Sequence, residues 1–265
     1  MQSVSRAAVV THGRDGVVKE ALARLQAVAA SSGVELLLGE AEDAAAPDVA
    51  IVLGGDGTML RALTRFLGTG VPVIGVNYGR VGFLTAIPAD RLEDGVRRVF
   101  AGEYRAVELS ALEVSAAGVT RIAVNDVVVA GGTLGRMVEL GYAIGGEQLG
   151  TQPCDGLICA TATGSTAYNL SNGGPVLVWG MDATVLTFVA PHALHIRPLV
   201  VPRGPEVVIT NETVGLEATV LADGHELGQL PVGASATVRL ADERSLLATL
   251  PEVTFFTRYA ATFGR

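Results

Sequence analysis

The first hundred residues alternate short apolar runs with amphipathic stretches. The apolar runs predict strands at 6–11, 34–38, 48–53 and 71–76. Apolar residues at helical spacing predict helices over 14–30, 58–67 and 88–102, with glycine ends at Gly33, Gly68 and Gly102. The run at 48–53 lacks polar alternation, as a strand buried on both faces should. This order predicts an α/β domain with a parallel sheet and helices on both faces.

After about residue 106 the pattern changes to short strand-like runs separated by glycine turns. Such spacing predicts an antiparallel β-rich domain. Residues 163–174 are the exception, because a Gly/Ser/Thr-rich entry leads there into about two helical turns. The tail from 254 onwards is apolar and aromatic, so it is expected to pack, although periodicity does not show where.

Composition narrows the possible partners. Hydrophobic residues make up 49% of the 265 positions, and the net charge is −8, so a nucleic acid or an anionic membrane surface is not the expected partner. Lys19 is the only lysine, so a bound phosphate must be met by arginine, backbone amides, helix N-termini or a metal ion. No GK[ST] dipeptide is present, which excludes a Walker A loop. A cytoplasmic protein is expected, with Cys154 and Cys159 as reduced thiols.

The stretch "LGGDGTML" (53–60) places three glycines around Asp56 between a buried strand and a helix. Ligands of open α/β sheets gather beyond the carboxyl ends of the strands. Gly54, Gly55 and Gly57 allow positive φ and close approach of backbone amides, and Arg61 can reach the same region. The stretch indicates a phosphate-binding loop with a carboxylate aimed into it. The alternative is that Asp56 only caps the helix.

The stretch "GVNYGRVGFL" (75–84) also follows a buried strand. Its glycines leave space for close approach, and Asn77 offers donors and an acceptor. Phe83 could lie against a base or fill the core, and residue type alone favours the core.

Two adjacent polar residues, Asn125 and Asp126, interrupt the apolar run at 124–130. Neighbouring side chains of a strand point to opposite faces, so at least one of them should face the core or a cleft. Asn and Asp together would suit the vicinal hydroxyls of a ribose. A bulge or a turn is the alternative explanation.

Residues 154–174 combine Asp155 with a loop dense in hydroxyl and amide side chains. A helix cap explains one or two of these groups but not all, so the segment is predicted to bind a polar or anionic ligand. The four histidines have no metal-ligand spacing, no protein metal site is predicted, and no G-x-S-x-G elbow occurs.

Together these stretches resemble the NAD kinase family. The resemblance is carried by "GGDGTMLRA", "GVNYGRVGFL", "VND", "CDGLICATATGSTAYNLSNGGPVL", "PHALHIRPLVVP" and "LADGHELG", in that order from about 48 to 230. It implies a Rossmann- or phosphofructokinase-like N-terminal domain, residues 1–106 with 250–265, and a β-rich C-terminal domain, residues 107–249. It also implies transfer of the γ-phosphoryl group of ATP, or of polyphosphate, to the 2′-hydroxyl of the adenosine ribose of NAD.

The resemblance implies that Asp56 is the proton acceptor and that Phe83 lies near adenine. The full set of predicted nucleotide-binding residues is Gly54, Gly55, Gly57, Thr58, Arg61, Asn77, Phe83, Asn125, Asp126, Arg136, Asp155, Thr163, Ser165, Thr166, Ala167, Tyr168, Asn169, Leu170, Ser171 and His225. Mg²⁺ or another divalent cation is the expected neutraliser of the triphosphate, because the chain has one lysine and an acidic balance. NAD and ATP are the expected partners, with a homodimer or homotetramer as the assembly.

Some positions depart from the family pattern. Ala162 stands where the family usually has proline, Asn169 and Asn172 replace small residues, and His225 stands where glutamine or asparagine is usual. Two other functions stay open: a lipid or other small-molecule kinase sharing only the GGDG loop, and a dinucleotide-binding sensor without turnover. The polar 161–172 segment argues against an apolar acceptor channel, and Asp56 and Arg61 argue against loss of turnover.

Overall fold

A computed structural model describes residues 3–11, 16–39, 46–79, 82–132, 136–193 and 195–264. The chain divides into two compact units. The first unit comprises Met1–Glu108 and Ser245–Arg265, and the second comprises Leu109–Arg244. These limits lie close to the predicted boundaries near 106 and 250, and the aromatic tail belongs to the first unit.

The helices and strands follow the chain in this order. The first are β1 (Arg6–Thr11), α1 (Gly16–Ser32), β2 (Glu35–Leu38), β3 (Val49–Gly54), α2 (Asp56–Arg65), β4 (Pro72–Asn77), β5 (Ile87–Pro88) and α3 (Leu92–Phe100). Next come β6 (Arg105–Ala116), β7 (Val119–Ala123), β8 (Asp126–Gly131), β9 (Val138–Ile144), β10 (Glu147–Cys154), β11 (Gly156–Ala160) and α4 (Tyr168–Ser171). The last are β12 (Ala183–Val189), β13 (Leu199–Pro202), β14 (Val207–Asn211), β15 (Ala218–Ala222), β16 (His225–Leu230), β17 (Ser235–Thr249) and α5 (Phe255–Phe263).

The first unit contains a parallel sheet. Its strands lie in the order β2–β1–β3–β4, and the end of β17 pairs with β4 through Leu246 and Leu247. β3 and β4 pair in a register that sets Gly54 opposite Asn77. The carboxyl ends of these two strands therefore lie side by side, and the glycine-rich stretches that follow them leave the sheet at the same edge.

Helices cover both faces of this sheet, as the pattern predicts. Ile74 and Val76 of β4 pack in one cluster with residues of α1 and α3. Gly75, between them, faces the other way, and a Cβ there would lie 2.5 Å from the sulfur of Met59 on α2. α1 and α3 are joined by an ion pair in which Arg24 Nε lies 2.6 Å from Glu93 Oε1. The predicted α/β fold of this unit is confirmed.

The second unit is built from antiparallel strands, as predicted. One sheet has the order β13–β12–β11–β8–β15–β16, and β10, β9, β14 and β17 lie in another. Their apolar faces share one core, which includes Val129 and Leu157 from the first and Leu140 and Ile209 from the second. β8 lies between β11 and β15, so Asp126 at its start pairs with Ala160 at the end of β11.

Three sequence predictions are corrected. α2 begins at Asp56, two residues before the predicted start at 58, because Gly55 already serves as its N-cap residue. The helix ends at Arg65 with Phe66 as the cap residue, so Gly68, at φ +71°, turns the chain after the helix instead of capping it. The predicted strand over 124–130 begins only at Asp126, because a bend at 124–125 separates β7 from β8. Residues 14 and 15 of the first predicted helix lie outside the described residues.

Across the described parts of the chain, the helices are all too short or too polar to cross a membrane.

Candidate functional site

The carboxylate of Asp56 is fixed by two backbone amides of the first unit. Its Oδ2 accepts a hydrogen bond from the N–H of Phe83 at 2.9 Å, and its Oδ1 accepts one from the N–H of Leu84 at 3.0 Å. The side chain makes no capping bond to α2, so the interpretation of Asp56 as a helix cap is wrong. Each oxygen carries one amide bond, which sets the plane of the carboxylate and leaves further lone pairs for another donor.

The glycines of the loop serve close packing rather than positive φ. None of Gly54, Gly55 and Gly57 is among the positive-φ glycines, and Gly55 lies at φ −102°. A Cβ on Gly54 would lie 2.4 Å from Oγ1 of Thr58, and one on Gly55 would lie 3.3 Å from Cα of Gly79. The positive φ that these glycines would allow is therefore not used. Gly57 differs, because a Cβ there would meet none of the described residues within 4 Å, so that side of the loop is open with respect to them.

The other polar residues predicted for this loop occupy different surroundings. Thr58 is 6% exposed and packs behind Gly54. Arg61 is exposed and makes no hydrogen bond or ion pair with the residues that the structure describes. Asn77 accepts a bond from the N–H of Gly79 at 2.9 Å, which shapes the turn after β4. Asp56, Gly57 and Asn77 lie at the carboxyl ends of β3 and β4, and Arg61 lies farther along α2.

Phe83 is buried in an aromatic group of the first unit. It is 6% exposed, and its ring centroid lies 5.7 Å from that of Phe255 and 6.1 Å from that of Phe263. These contacts favour the core role expected from residue type. A contact of Phe83 with adenine stays a prediction.

In the second unit, the turn before β8 is gripped by a residue that was not predicted. The carboxylate of Asp223 accepts bonds from the N–H groups of Val124, Asn125 and Asp126 at 2.8, 2.8 and 3.1 Å. The N–H of Asp223 donates in return to the carbonyl of Asp126 at 2.9 Å. Because Asn125 lies in this bend, the argument that the two polar side chains alternate across a strand does not apply. The turn that was the alternative explanation is the one observed.

The same turn is held from its other side by Thr161. The hydroxyl of Thr161 donates to the carbonyl of Val124 at 2.7 Å, and its N–H donates to the carbonyl of Asn125 at 2.9 Å. The Oδ1 atom of Asn125 is buried without a hydrogen-bond partner among the described residues. A rigid backbone thus presents an unsatisfied acceptor, as a polar binding site requires.

Asp126 and Asp223 form an acidic pair in which Asp126 is buried and Asp223 is half-buried. Asp126 is 7% exposed, and burial together with the negative charge of Asp223 raises its pKa to about 6. Burial also raises the pKa of Asp223, although its three amide bonds oppose that shift. The pair titrates closer to neutrality than ordinary carboxylates, which is common at functional sites.

The hydroxyl-rich loop after β11 is largely bonded to itself. Ser165 Oγ donates to the carbonyl of Ala162 at 2.7 Å and accepts from the N–H of Leu177 at 2.9 Å. Asn169 is fully buried, and its amide donates to the carbonyls of Ser165 and Pro175 at 3.0 Å each. The argument that these groups are too many for a structural role is therefore wrong for Ser165 and Asn169.

Other members of this loop keep free polar groups. Thr163 Oγ1 is buried without a hydrogen-bond partner among the described residues. Tyr168 is 46% exposed, and Ser171 is also exposed. Thr166 donates to the carbonyl of Thr163 at 3.1 Å. Two predicted members remain. Ala167 is half-buried, and its N–H donates to the carbonyl of Gly164, whereas Leu170 lies in α4.

Three predicted residues lie on the surface of the second unit. Arg136 and Asp155 are exposed, before β9 and between β10 and β11, and their side chains make no hydrogen bond with the described residues. His225 begins β16, and its Nδ1 lies 3.0 Å from the carbonyl oxygen of Asp223. His225 is thus tied to the residue that grips Asn125 and Asp126.

Comparison with protein families matches both units. A model of the ATP-NAD kinase N-terminal domain matches residues 6–104, and one of the ATP-NAD kinase C-terminal domain matches residues 124–249. The chain belongs to the NAD kinase family. It is therefore a phosphotransferase enzyme, a kinase that forms NADP from NAD, and the resemblance seen in its motifs is confirmed.

Individual NAD kinases agree with this assignment. The NAD kinase of Gemmatimonas aurantiaca is 40% identical over 223 residues, which cover 82% of this chain and 77% of that protein. The NAD kinase of Heliobacterium modesticaldum is 41% identical over 214 residues, covering 79% of this chain and 76% of that protein.

Solved structures share the fold. An NAD kinase from Archaeoglobus fulgidus in complex with ATP is 27% identical, with a TM-score of 0.76, and the match covers 98% of this chain and 97% of that one. Yeast NADH kinase complexed with NADH has a TM-score of 0.87 at 20% identity, covering 100% of this chain and 88% of that one. At that identity the yeast structure supports the fold alone.

The carboxylate of Asp56 is the kind of oxygen ligand that Mg²⁺ uses in proteins. No cluster of three or more His, Cys, Asp or Glu occurs among the residues the structure describes. Mg²⁺ is commonly bound by one or two carboxylates together with substrate phosphates. Asp56 supplies one such carboxylate in the first unit, with lone pairs that its two amide bonds leave free.

Proposed function

We propose that Asp56 accepts the proton of the 2′-hydroxyl of the adenosine ribose of NAD while the γ-phosphoryl group of ATP is transferred to that oxygen. The observation that carries the proposal is the carboxylate of Asp56, oriented by two backbone amides at the end of β3 beside the open flank of Gly57. A general base needs such orientation to receive a proton in the transition state.

The phosphoryl group is met by the backbone at the start of α2. The first N–H groups of a helix have no partner within the helix, and its N-terminus carries partial positive charge. Arg61, exposed on the same helix, supplies a mobile positive charge for phosphate oxygens. Phosphoryl transfer depends mainly on such positioning and charge neutralisation.

A divalent cation, when bound with ATP, neutralises charge on the triphosphate. Asp56 would help to hold it through one carboxylate oxygen, which leaves the other oxygen to accept the proton. The chain has a single lysine and a net charge of −8, so the bound cation shares this task with arginines such as Arg61.

The second unit binds the dinucleotide in this proposal. Asn125 and Asp126 bind ribose hydroxyls, because their turn is fixed by Asp223 and Thr161 and the Oδ1 of Asn125 has no partner among the described residues. The buried hydroxyl of Thr163 and the exposed Tyr168 add polar and aromatic contacts. Ser165 and Asn169 contribute by shaping the loop and by their backbone groups, since their side chains are bonded internally. A cytoplasmic location and a homodimer or homotetramer remain predictions.

The test is NADP formation from NAD with ATP and with polyphosphate, each with Mg²⁺ and with excess EDTA. We expect NADP with ATP and Mg²⁺ and a loss of activity in EDTA that added Mg²⁺ reverses. Binding of NAD without NADP from either donor would instead support a dinucleotide sensor. Phosphorylation of diacylglycerol in place of NAD would support a lipid kinase.

A further inference from the structure

The C-terminal helix packs on the segment that orients Asp56. Phe255 and Phe263 of α5 flank the ring of Phe83, with centroids 5.7 and 6.1 Å away. The N–H of the same Phe83 donates to Asp56. All of these residues belong to the first unit. The last helix of the chain therefore supports the segment that orients the proposed base.

A single arginine links α5 to that segment by a hydrogen bond. The Nη2 of Arg258 donates to the carbonyl of Thr85. Thr85 is fully buried and directly follows Phe83 and Leu84, whose amides bond the two oxygens of Asp56. Thr85 thus connects the guanidinium of Arg258 to Phe83 and Leu84, whose amides bond Asp56.

The electrostatics of Arg258 are unusual for a structural arginine. It has no carboxylate within salt-bridge distance among the described residues, and its Nε is buried without a hydrogen-bond partner there. Burial lowers the pKa of Arg258, and the negative charge of Asp56 opposes that shift. A half-buried cation without a close ion pair is costly, and its hydrogen bond to the buried carbonyl of Thr85 offsets part of that cost. The stabilising contribution of this arginine is therefore small.

We propose that Arg258 is a positioning residue for phosphoryl transfer, fixing the 83–85 segment and thereby the orientation of the Asp56 carboxylate. This inference rests on the proposed role of Asp56. Arg258 acts through Thr85 and the two amides, and its contact with the reacting atoms is not part of the proposal.

The chain offers a matched control. A cavity of about 400 Å³ in the first unit is lined by both Arg258 and Arg91. Arg91 is exposed, and it makes no hydrogen bond or ion pair with the described residues. Arg91→Met thus removes an arginine from the same cavity without touching the 83–85 segment.

The kinetic test compares Arg258→Met, Arg258→Lys and Arg91→Met. Arg258→Met should lower kcat by about 100-fold, because a misplacement of about 1 Å can cost that much. Its KM for NAD should change less than about threefold, and its Tm should fall by no more than about 10 °C, because one hydrogen bond to a buried carbonyl is lost. Arg258→Lys should recover part of kcat, since an ammonium can still donate to Thr85, and Arg91→Met should match wild type. Wild-type kcat in Arg258→Met, measured at a temperature where the variant is fully folded, overturns the proposal.

Amide hydrogen exchange tests the same proposal without any assay of activity. The amides of Phe83 and Leu84 should exchange at least about tenfold faster in Arg258→Met and at the wild-type rate in Arg91→Met, because exchange reports local opening. Unchanged protection in Arg258→Met overturns the proposal. If wild-type enzyme forms no NADP while exchange responds as expected, the fault lies with the proposed function and not with the link from Arg258 to Asp56.

Discussion

The most specific feature at the residue scale is a carboxylate whose two oxygens each accept one backbone N–H. Asp56 follows Gly55, which lies close to Gly79 after β4. The amides of Phe83 and Leu84, in the same segment after β4, bond its two oxygens and align the carboxylate. Such an arrangement fixes direction while leaving lone pairs available. The flank of Gly57, where none of the described residues would crowd a Cβ, is therefore the expected approach for a phosphate.

Gly57→Ala tests that approach. A Cβ at this position meets no atom of the described residues within 4 Å, and alanine in a helix is favoured over glycine by about 0.5–1 kcal/mol. We expect an unchanged or slightly raised Tm together with a KM for ATP raised by about tenfold or more, because the methyl group occupies space needed by the ligand. Thermal melts and initial rates measure both quantities. An unchanged KM would show that no ligand approaches this face.

The sequence predicts part of this residue-scale picture and misses the rest for a physical reason. The position of Asp56 after a buried strand follows from local pattern. Its partners do not, because the amides of Phe83 and Leu84 lie 27 and 28 residues away and depend on the β3–β4 register. The same holds for Asp223, which lies 97–99 residues from the amides it bonds. The Asp-Gly pair at 223–224 does indicate a hairpin turn, which is the only local signal it carries.

At the scale of elements, the turn before β8 and the loop after β11 are hydrogen-bonded and closely packed against each other. Thr161 bonds the carbonyls of the turn, and a Cβ on Gly164 would lie 2.1 Å from the carbonyl oxygen of Asn125. The boundaries of β1 to β4 agree with the predicted strands within one residue, because apolar runs set them. The close approach of these two loops was not, since it depends on β8 and β11 pairing side by side.

Gly164→Ala should disturb the packing between the turn before β8 and the loop after β11. The added methyl group must displace backbone, and overpacking of this kind costs about 1–3 kcal/mol. We expect a lower free energy of unfolding and a KM for NAD raised by about tenfold, because Asn125 is moved. Gly16→Ala, where a Cβ meets nothing within 4 Å in the part of the chain that the structure describes, is the control for denaturant melts and kinetics. Wild-type stability and KM in Gly164→Ala would contradict the close contact.

At the scale of the whole molecule, the acidic pair links stability to pH. The folded protein raises the pKa of Asp126 from 3.8 to about 6, so between these values it binds the proton more tightly than the unfolded chain does. The contribution of Asp126 to stability is therefore greatest below pH 4 and is lost as the pH rises through about 6. At 1.36 kcal/mol per pKa unit, the loss is about 3 kcal/mol.

Asp126→Asn tests this linkage. The neutral amide cannot be deprotonated, so the decline in the free energy of unfolding between about pH 4 and pH 6 should be shallower in the variant than in wild type. Urea melts at several pH values measure the slopes, and groups common to both proteins cancel in the difference. Parallel slopes in the two proteins would show that Asp126 has an ordinary pKa.

The central claim concerns Asp56, and single-turnover NADP formation by Asp56→Asn tests it most directly. Asparagine can accept only one of the two amide bonds, so a modest loss of stability, about 1–3 kcal/mol, is expected and is checked by thermal melts. Under conditions where the variant is folded and saturated with NAD and ATP, we predict a rate about 100- to 10,000-fold below wild type. A wild-type rate in that folded, saturated variant would contradict the role of Asp56 as proton acceptor.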